Sequence, residues 1–154
     1  MKHLDRQEMI DILHKVRDGV LALTDGSLPY CLPFGFVYVN DAVFLSLFPT
    51  GRKWEIIKKN SNVCFNAFCW NDENTEWYSV VVEGGLVPVK DLETIESVVR
   101  ATMQKVGLDP EKYTEKRMEY YSKNLVNDKG LKIFKIDTRS MTGRSMPILI
   151  GKDL

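Results

Sequence analysis

Apolar positions along the chain alternate between helical and strand spacing. From Asp5 to Asp18, Met9, Ile12, Leu13 and Val16 recur at helical intervals among charged neighbours, which predicts an amphipathic helix with Gly19 as its stop. His14 falls within that helix and reads as a boundary or surface residue. Val20 to Thr24 is a short apolar strand closed by the turn signal Asp25-Gly26. Tyr30 to Val39 reads as a second strand, and Pro29 and Pro33 put its start at a sheet edge or a bulge, since proline has no N–H to give a ladder. If Asn40-Asp41 is a two-residue hairpin turn, Val39 opposes Ala42, Tyr38 opposes Val43, Phe36 opposes Leu45 and Gly35 opposes Ser46. One face of the hairpin then carries Phe34, Phe36, Tyr38, Val43, Leu45 and Leu47, which suits a barrel core. Gly35, Val37, Phe44 and Ser46 occupy the other face.

Further along, Arg52 to Lys59 predicts a short helix with Trp54 and Ile57 on its buried side, ended by Asn60-Ser61-Asn62. Strands follow at Val63–Trp70 and Trp77–Leu86, separated by an acidic polar loop. In the latter, Trp77, Ser79, Val81 and Glu83 face one way and Tyr78, Val80 and Val82 the other. Asp91 to Val106 is a helix with Leu92, Ile95, Val98, Val99, Met103 and Val106 on one stripe, closed by Gly107. Asp109-Pro110 opens another through Glu111 to Asn124, with a thinner stripe of Met118, Tyr121 and Leu125. Lys132 to Ile136 is a last strand, and Thr142-Gly143-Arg144 interrupts it before Met146 to Ile150. These elements predict a mainly β fold with helices, a small antiparallel barrel occupying residues 1–154 as a single domain. Neither GxGxxG nor GxxxxGK[ST] occurs, which disfavours Rossmann and P-loop folds.

Composition narrows the function classes. The 154 residues carry no formal net charge, 44% are apolar and 27% are charged, so a disordered chain or a broad nucleic-acid surface is not expected. No apolar run approaches a membrane span and the N-terminus lacks a signal-peptide pattern, so the expected setting is cytoplasmic. Cys31, Cys64 and Cys69 form no CxxC pair and read as buried thiols, while two histidines, His3 and His14, are too few for a His-rich metal cage.

Candidate chemistry gathers after Leu47. Gly51 precedes Arg52 and Lys53 in the first turn of a helix, where the dipole favours Asp or Glu. Two cations there fit a bound anion, a phosphate held by backbone N–H groups, the Thr50 hydroxyl and Lys53. They also fit an exposed turn with solvated basic residues. Gly35 opposite Ser46 either leaves a shallow polar site for a flat ligand or relieves a bend. From pattern alone, Ser79 is an outward solvated serine.

The ordered set Gly19-Val-Leu-Ala-Leu-Thr-Asp-Gly26, Pro29-Tyr30, Pro33, Phe44-Leu-Ser-Leu-Phe-Pro-Thr-Gly-Arg-Lys53, Asn62-Val-Cys-Phe65 and Tyr78-Ser-Val-Val-Val-Glu-Gly84 resembles the flavin-binding split barrels. Its nearest branch is the pyridoxamine 5'-phosphate oxidase-related, nitroimidazole-resistance-like proteins, and Thr142-Gly-Arg144 is similar to the family's closing Thr-Gly-Lys/Arg. The resemblance implies an antiparallel Greek-key split barrel flanked by helices. It also implies a homodimer with FMN at the subunit interface, and oxidoreductase chemistry on a small molecule. Carried over, Gly51, Arg52 and Lys53 would grip the FMN phosphate, Ser46 and Ser79 would lie near the phosphate and ribityl chain, and the backbone of Tyr30, Leu32 and Pro33 would follow the isoalloxazine edge. Phe44-Leu45-Ser46 departs from that branch's Phe-His-Ser/Gly, and leucine moves no proton. A non-catalytic flavin or small-ligand carrier is the alternative; haem binding lacks axial ligands beyond His3 and His14.

Overall fold

The computed structural model describes residues 1–149. In chain order its elements are β1 (Lys2–His3), α1 (Arg6–Lys15), β2 (Asp18–Thr24), β3 (Pro29–Val39), β4 (Ala42–Leu47), α2 (Gly51–Lys59), β5 (Asn62–Trp70), β6 (Glu76–Pro88), α3 (Leu92–Lys105), α4 (Pro110–Asn124) and β7 (Lys132–Pro147). The strands run in the order β7-β4-β3-β2-β5-β6, all antiparallel, and β6 pairs back onto β7 to close a six-stranded barrel; β1 adds to the end of β7. Closure pairs most of the strand edges that would otherwise invite pairing with other chains, leaving part of β3 open.

Asn40 and Asp41 both take positive φ, 51° and 57°, the geometry of a type I′ hairpin turn, and the β3–β4 register from Val39–Ala42 to Phe36–Leu45 matches the expected one. The two faces separate as the alternation predicts. Phe36, Tyr38, Val43, Leu45 and Leu47 are buried inside the barrel with Leu21, Phe65, Val80 and Val82. Val37, Ala42 and Phe44 point outward and are covered by Ile95, Val98 and Val99 of α3 and Tyr121 of α4. Helix α1 packs against the barrel core with Met9, Ile12 and Leu13, joined by its C-cap Val16, and its start is fixed by a reciprocal capping box between Asp5 and Glu8.

Three expectations are corrected. Gly19 does not stop α1, which ends at Lys15; it sits inside β2, where a Cβ would lie 2.3 Å from the Phe65 ring, so the missing side chain makes room for core packing. Thr142-Gly143-Arg144 does not interrupt β7: Gly143 keeps its place opposite Val80, beneath Leu4 and Met9. The second half of that expectation ends at Ile150, outside the described residues. Gly35 does not face Ser46 in a ladder. The β3–β4 pairing stops at Phe36–Leu45, after which Gly35 pairs with Asp18 on β2 and Ser46 with Ile133 on β7. The two strands diverge there, and the divergence creates the site.

Candidate functional site

Where β4 leaves β3, the Pro29–Gly35 half of β3 keeps β2 on one side and, among the described residues, has no ladder partner on the other. Tyr30 and Leu32 turn toward the barrel core, while Cys31 and Pro33 are exposed. Main-chain donors and acceptors along this edge are therefore free for a ligand. β4 ends at Leu47, and after three intervening residues α2 begins at Gly51, with Arg52 reaching Tyr30 on that edge.

The α2 start has the features of an anion site. Thr50 is its N-cap in extended conformation, yet its hydroxyl makes no capping hydrogen bond, and the first turn contains no acid. Gly51 has φ +74°, a conformation that a side chain would strain, so the tight entry into the helix depends on glycine. Lys53 Nζ donates to Thr50 O at 3.1 Å, folding back over the turn. The Arg52 guanidinium lies 4.3 Å from the centroid of the Tyr30 ring, which joins the helix start to the open strand edge. Among the described residues neither cation has a carboxylate partner.

Of the residues expected at the site, Tyr30, Leu32, Pro33, Gly51, Arg52 and Lys53 thus lie at one barrel corner. Ser46 sits on the outward face of β4, its Oγ 3.3 Å from the Tyr121 hydroxyl. With Gly35 it lines a cavity of about 310 Å³ between the β3–β4 face and helices α3 and α4. Ser79 is elsewhere. Its Oγ accepts a 2.6 Å hydrogen bond from Asn66 Nδ2, and it stands opposite Arg144 on β7, eleven residues beyond the Ile133 that faces Ser46. At about 3.3 Å per strand residue, the two β7 positions are at most roughly 36 Å apart along the strand. Ser79 shares its outward face with Phe68 and Trp70, large side chains that remain 53% and 43% exposed.

Leu45 is only 1% exposed, inside the barrel. A side chain of any type there meets the core, and the neighbouring position that can meet a ligand is Ser46. Sequence pattern also gave no sign of Lys105. As a last-turn cation it reads as an ordinary partner for the α3 dipole, but it folds inward, donating to Phe36 O at 2.9 Å and Leu13 O at 3.3 Å. Its Nζ lies 3.7 Å from the Phe36 ring centroid. Burial lowers its pKa to about 8, against a smaller opposing pull from Asp18. Arg17 and Arg117 border the same cavity.

Residues 5–145 match the family model described as Pyridoxamine 5'-phosphate oxidase. No curated protein gives a significant sequence match. Among solved structures, a candidate 5-nitroimidazole antibiotic resistance protein from Bacteroides thetaiotaomicron is 22% identical with a TM-score of 0.73, over 94% of this chain and 86% of that one. An FAD binding protein from Mycobacterium smegmatis is 20% identical with a TM-score of 0.67, over 96% and 100% of the two chains. An FAD-binding protein from Mesorhizobium loti is 20% identical with a TM-score of 0.65, over 94% and 97%. At these identities the likeness is one of fold. Among the described residues no helix is long and apolar enough to cross a membrane, and no cluster of three or more His, Cys, Asp or Glu side chains could hold a metal.

Proposed function

The chain belongs to the pyridoxamine 5'-phosphate oxidase family, and from that premise we propose that it is an FMN-binding flavoprotein, an oxidoreductase acting on a small molecule. One observation carries the reading: an open β3 edge meets a helix start whose N-cap hydroxyl is unspent and whose two first-turn cations lack a carboxylate partner among the described residues. These residues fit a phosphorylated, flat ligand. Thr50, Lys53, Arg52 and the α2 backbone N–H groups would hold the phosphate, and the Tyr30–Pro33 backbone would orient the ring. FMN, when bound, supplies the hydride and electron transfer. The chain itself supplies position and charge.

The reading extends to a homodimer. Phe68 and Trp70 on the outward face around Ser79 are the kind of aromatic surface that a second copy covers, and such a copy would bring a Ser79 to a site that one chain leaves incomplete. Replacing both Phe68 and Trp70 by glutamate should leave monomers in light-scattering chromatography; a wild-type monomer would refute the assembly. Free thiols at Cys31, Cys64 and Cys69 suit the cytoplasm.

The test is the visible spectrum of the purified protein, followed by titration with FMN, FAD and riboflavin. FMN tightest of the three is the expected order. A colourless protein with affinity for none of them overturns the reading, and FAD tightest replaces the cofactor. A non-catalytic carrier is favoured by one observation, that among the described residues no histidine stands at the corner, His3 lying on β1 and His14 on α1. Single-turnover reduction by NADH or NADPH, followed by reoxidation with an organic acceptor, decides against the carrier.

A further inference from the structure

The cavity beneath α3 and α4 has a polar wall made almost entirely of hydrogen-bond donors. Arg17 and Arg117 border it, and neither has a carboxylate within ion-pair distance among the described residues. Lys105 spends two N–H groups on Phe36 O and Leu13 O and has one left. Among the described residues Ser46 and Tyr121 hydrogen-bond only to each other, so whichever hydroxyl donates, the other O–H is left to donate elsewhere. Among the described residues the one acid lining it is Asp18, whose Oδ1 lies beside Gly35. Between the polar groups lie Phe44, Val98 and Ile133, buried apolar residues. The volume of about 310 Å³ is at the small end of ligand pockets.

We infer that this cavity binds a small organic oxyanion, a carboxylate or phosphate on an apolar body. The acid end meets Arg117, Arg17 and the remaining N–H of Lys105, an acceptor takes the spare hydroxyl of the Ser46–Tyr121 pair, and the body packs on Phe44, Val98 and Ile133. On β3 the cavity is lined from Phe34 to Val37, and Gly35 lies on the outward face shared with Pro33 and Cys31 of the open edge. Naming its occupant the substrate rests on the flavoprotein reading; the binding itself does not.

The experiment titrates the full chain, with and without saturating FMN, with benzoate, phenyl phosphate and neutral benzamide by calorimetry, and follows backbone amide shifts. Arg52→Ala/Lys53→Ala serves as a second background, to remove oxyanion binding at the α2 corner. Either oxyanion should bind about tenfold or more tighter than benzamide in both backgrounds, with shifts at Gly35 and Ser46, and Arg117→Gln and Lys105→Met should each weaken it about tenfold. Arg117 is exposed, so its variant is expected to fold even if Lys105→Met does not. Oxyanions binding no better than benzamide, shifts confined to the α2 corner, or affinity unchanged in Arg117→Gln overturns the inference. FMN titration of the same samples reads the cofactor separately: oxyanion binding without FMN binding keeps the pocket and removes the flavin, and the converse removes the pocket.

Discussion

The sharpest consequence of the α2 corner is a selective loss of phosphate recognition on removing Arg52 and Lys53. A hydrogen bond to a charged group contributes about 1.5–3 kcal/mol, but two neighbours sharing one phosphate do not add fully, so Arg52→Ala/Lys53→Ala should cost about 2–4 kcal/mol of FMN affinity. That is roughly 30- to 900-fold in Kd. Riboflavin, which has the same ring and ribityl chain without the phosphate, supplies the internal reference. The wild type should prefer FMN strongly and the double variant hardly at all, with riboflavin affinity changed little.

Stability must be separable for this to mean anything, and the structure says that it is. Neither cation forms an ion pair among the described residues, so no buried charge is orphaned. Lys53 loses one hydrogen bond to Thr50 O, and Arg52 loses a stack on Tyr30 of about 0.5–1 kcal/mol. Removing two positive charges from the positive end of α2 offsets a few tenths of that. The urea midpoint should therefore correspond to a change within about 1 kcal/mol. Fluorescence-quenching titrations of FMN and riboflavin at two ionic strengths provide the assay. An FMN-to-riboflavin affinity ratio that survives the double substitution would refute the phosphate assignment, and equal loss of both ligands would show that the corner holds the ring instead.

Other positions test the frame. Gly84 lies at the β6–β7 register shift, where an added Cβ would fall 2.1 Å from Asp137 O, a main-chain atom; Gly84→Ala should cost about 1–3 kcal/mol or more in urea unfolding. Asp41 holds φ 57° in the hairpin turn, so Asp41→Gly should raise stability by about 0.5 kcal/mol, measured the same way; a loss would mean that the exposed Asp41–Arg6 pair outweighs backbone strain. Lys105 titrates near pH 8 in the folded chain, below its ordinary value of 10.5. Between those values the unfolded chain binds the extra proton, so the burial penalty is present below pH 8 and is relieved as pH rises toward 10.5. The urea midpoint of the wild type should accordingly climb relative to Lys105→Met over that window, and a difference independent of pH would reject the burial argument.

The barrel was legible because its signals are local and redundant. Period-two alternation through Phe36, Tyr38, Val43 and Leu45 states an inner face, and Asn40-Asp41 sets the register that states it again. Helix starts at Asp5, Asp91 and Asp109 were marked by acids that cap their helices. What failed was long-range. Gly19 and Gly143 looked like breaks because glycine usually punctuates, whereas here each accommodates a neighbour brought close by closure, Phe65 in one case and Met9 with Leu4 in the other. Lys105 was invisible for the same reason: its partners Leu13 and Phe36 come from other elements.

The same β3–β4 hairpin explains why binding residues were easier to find than chemical ones. Its inner face must satisfy the core, so Leu45 is fixed by packing and is silent about reactivity. Its outer face carries no such constraint once β4 diverges, and that face is divided between an open strand edge beside Arg52 and a roofed cavity beside Lys105. A motif near the turn into α2 reports the first half, because the groups proposed to bind phosphate are contiguous in sequence. The second half is assembled from Ser46, Lys105, Arg117 and Tyr121, which are distant in sequence and joined only by the packing of α3 and α4. On the proposed assignments, substitution on the helices would change what the cavity binds while the α2 corner stays intact, so that one scaffold could serve different functions.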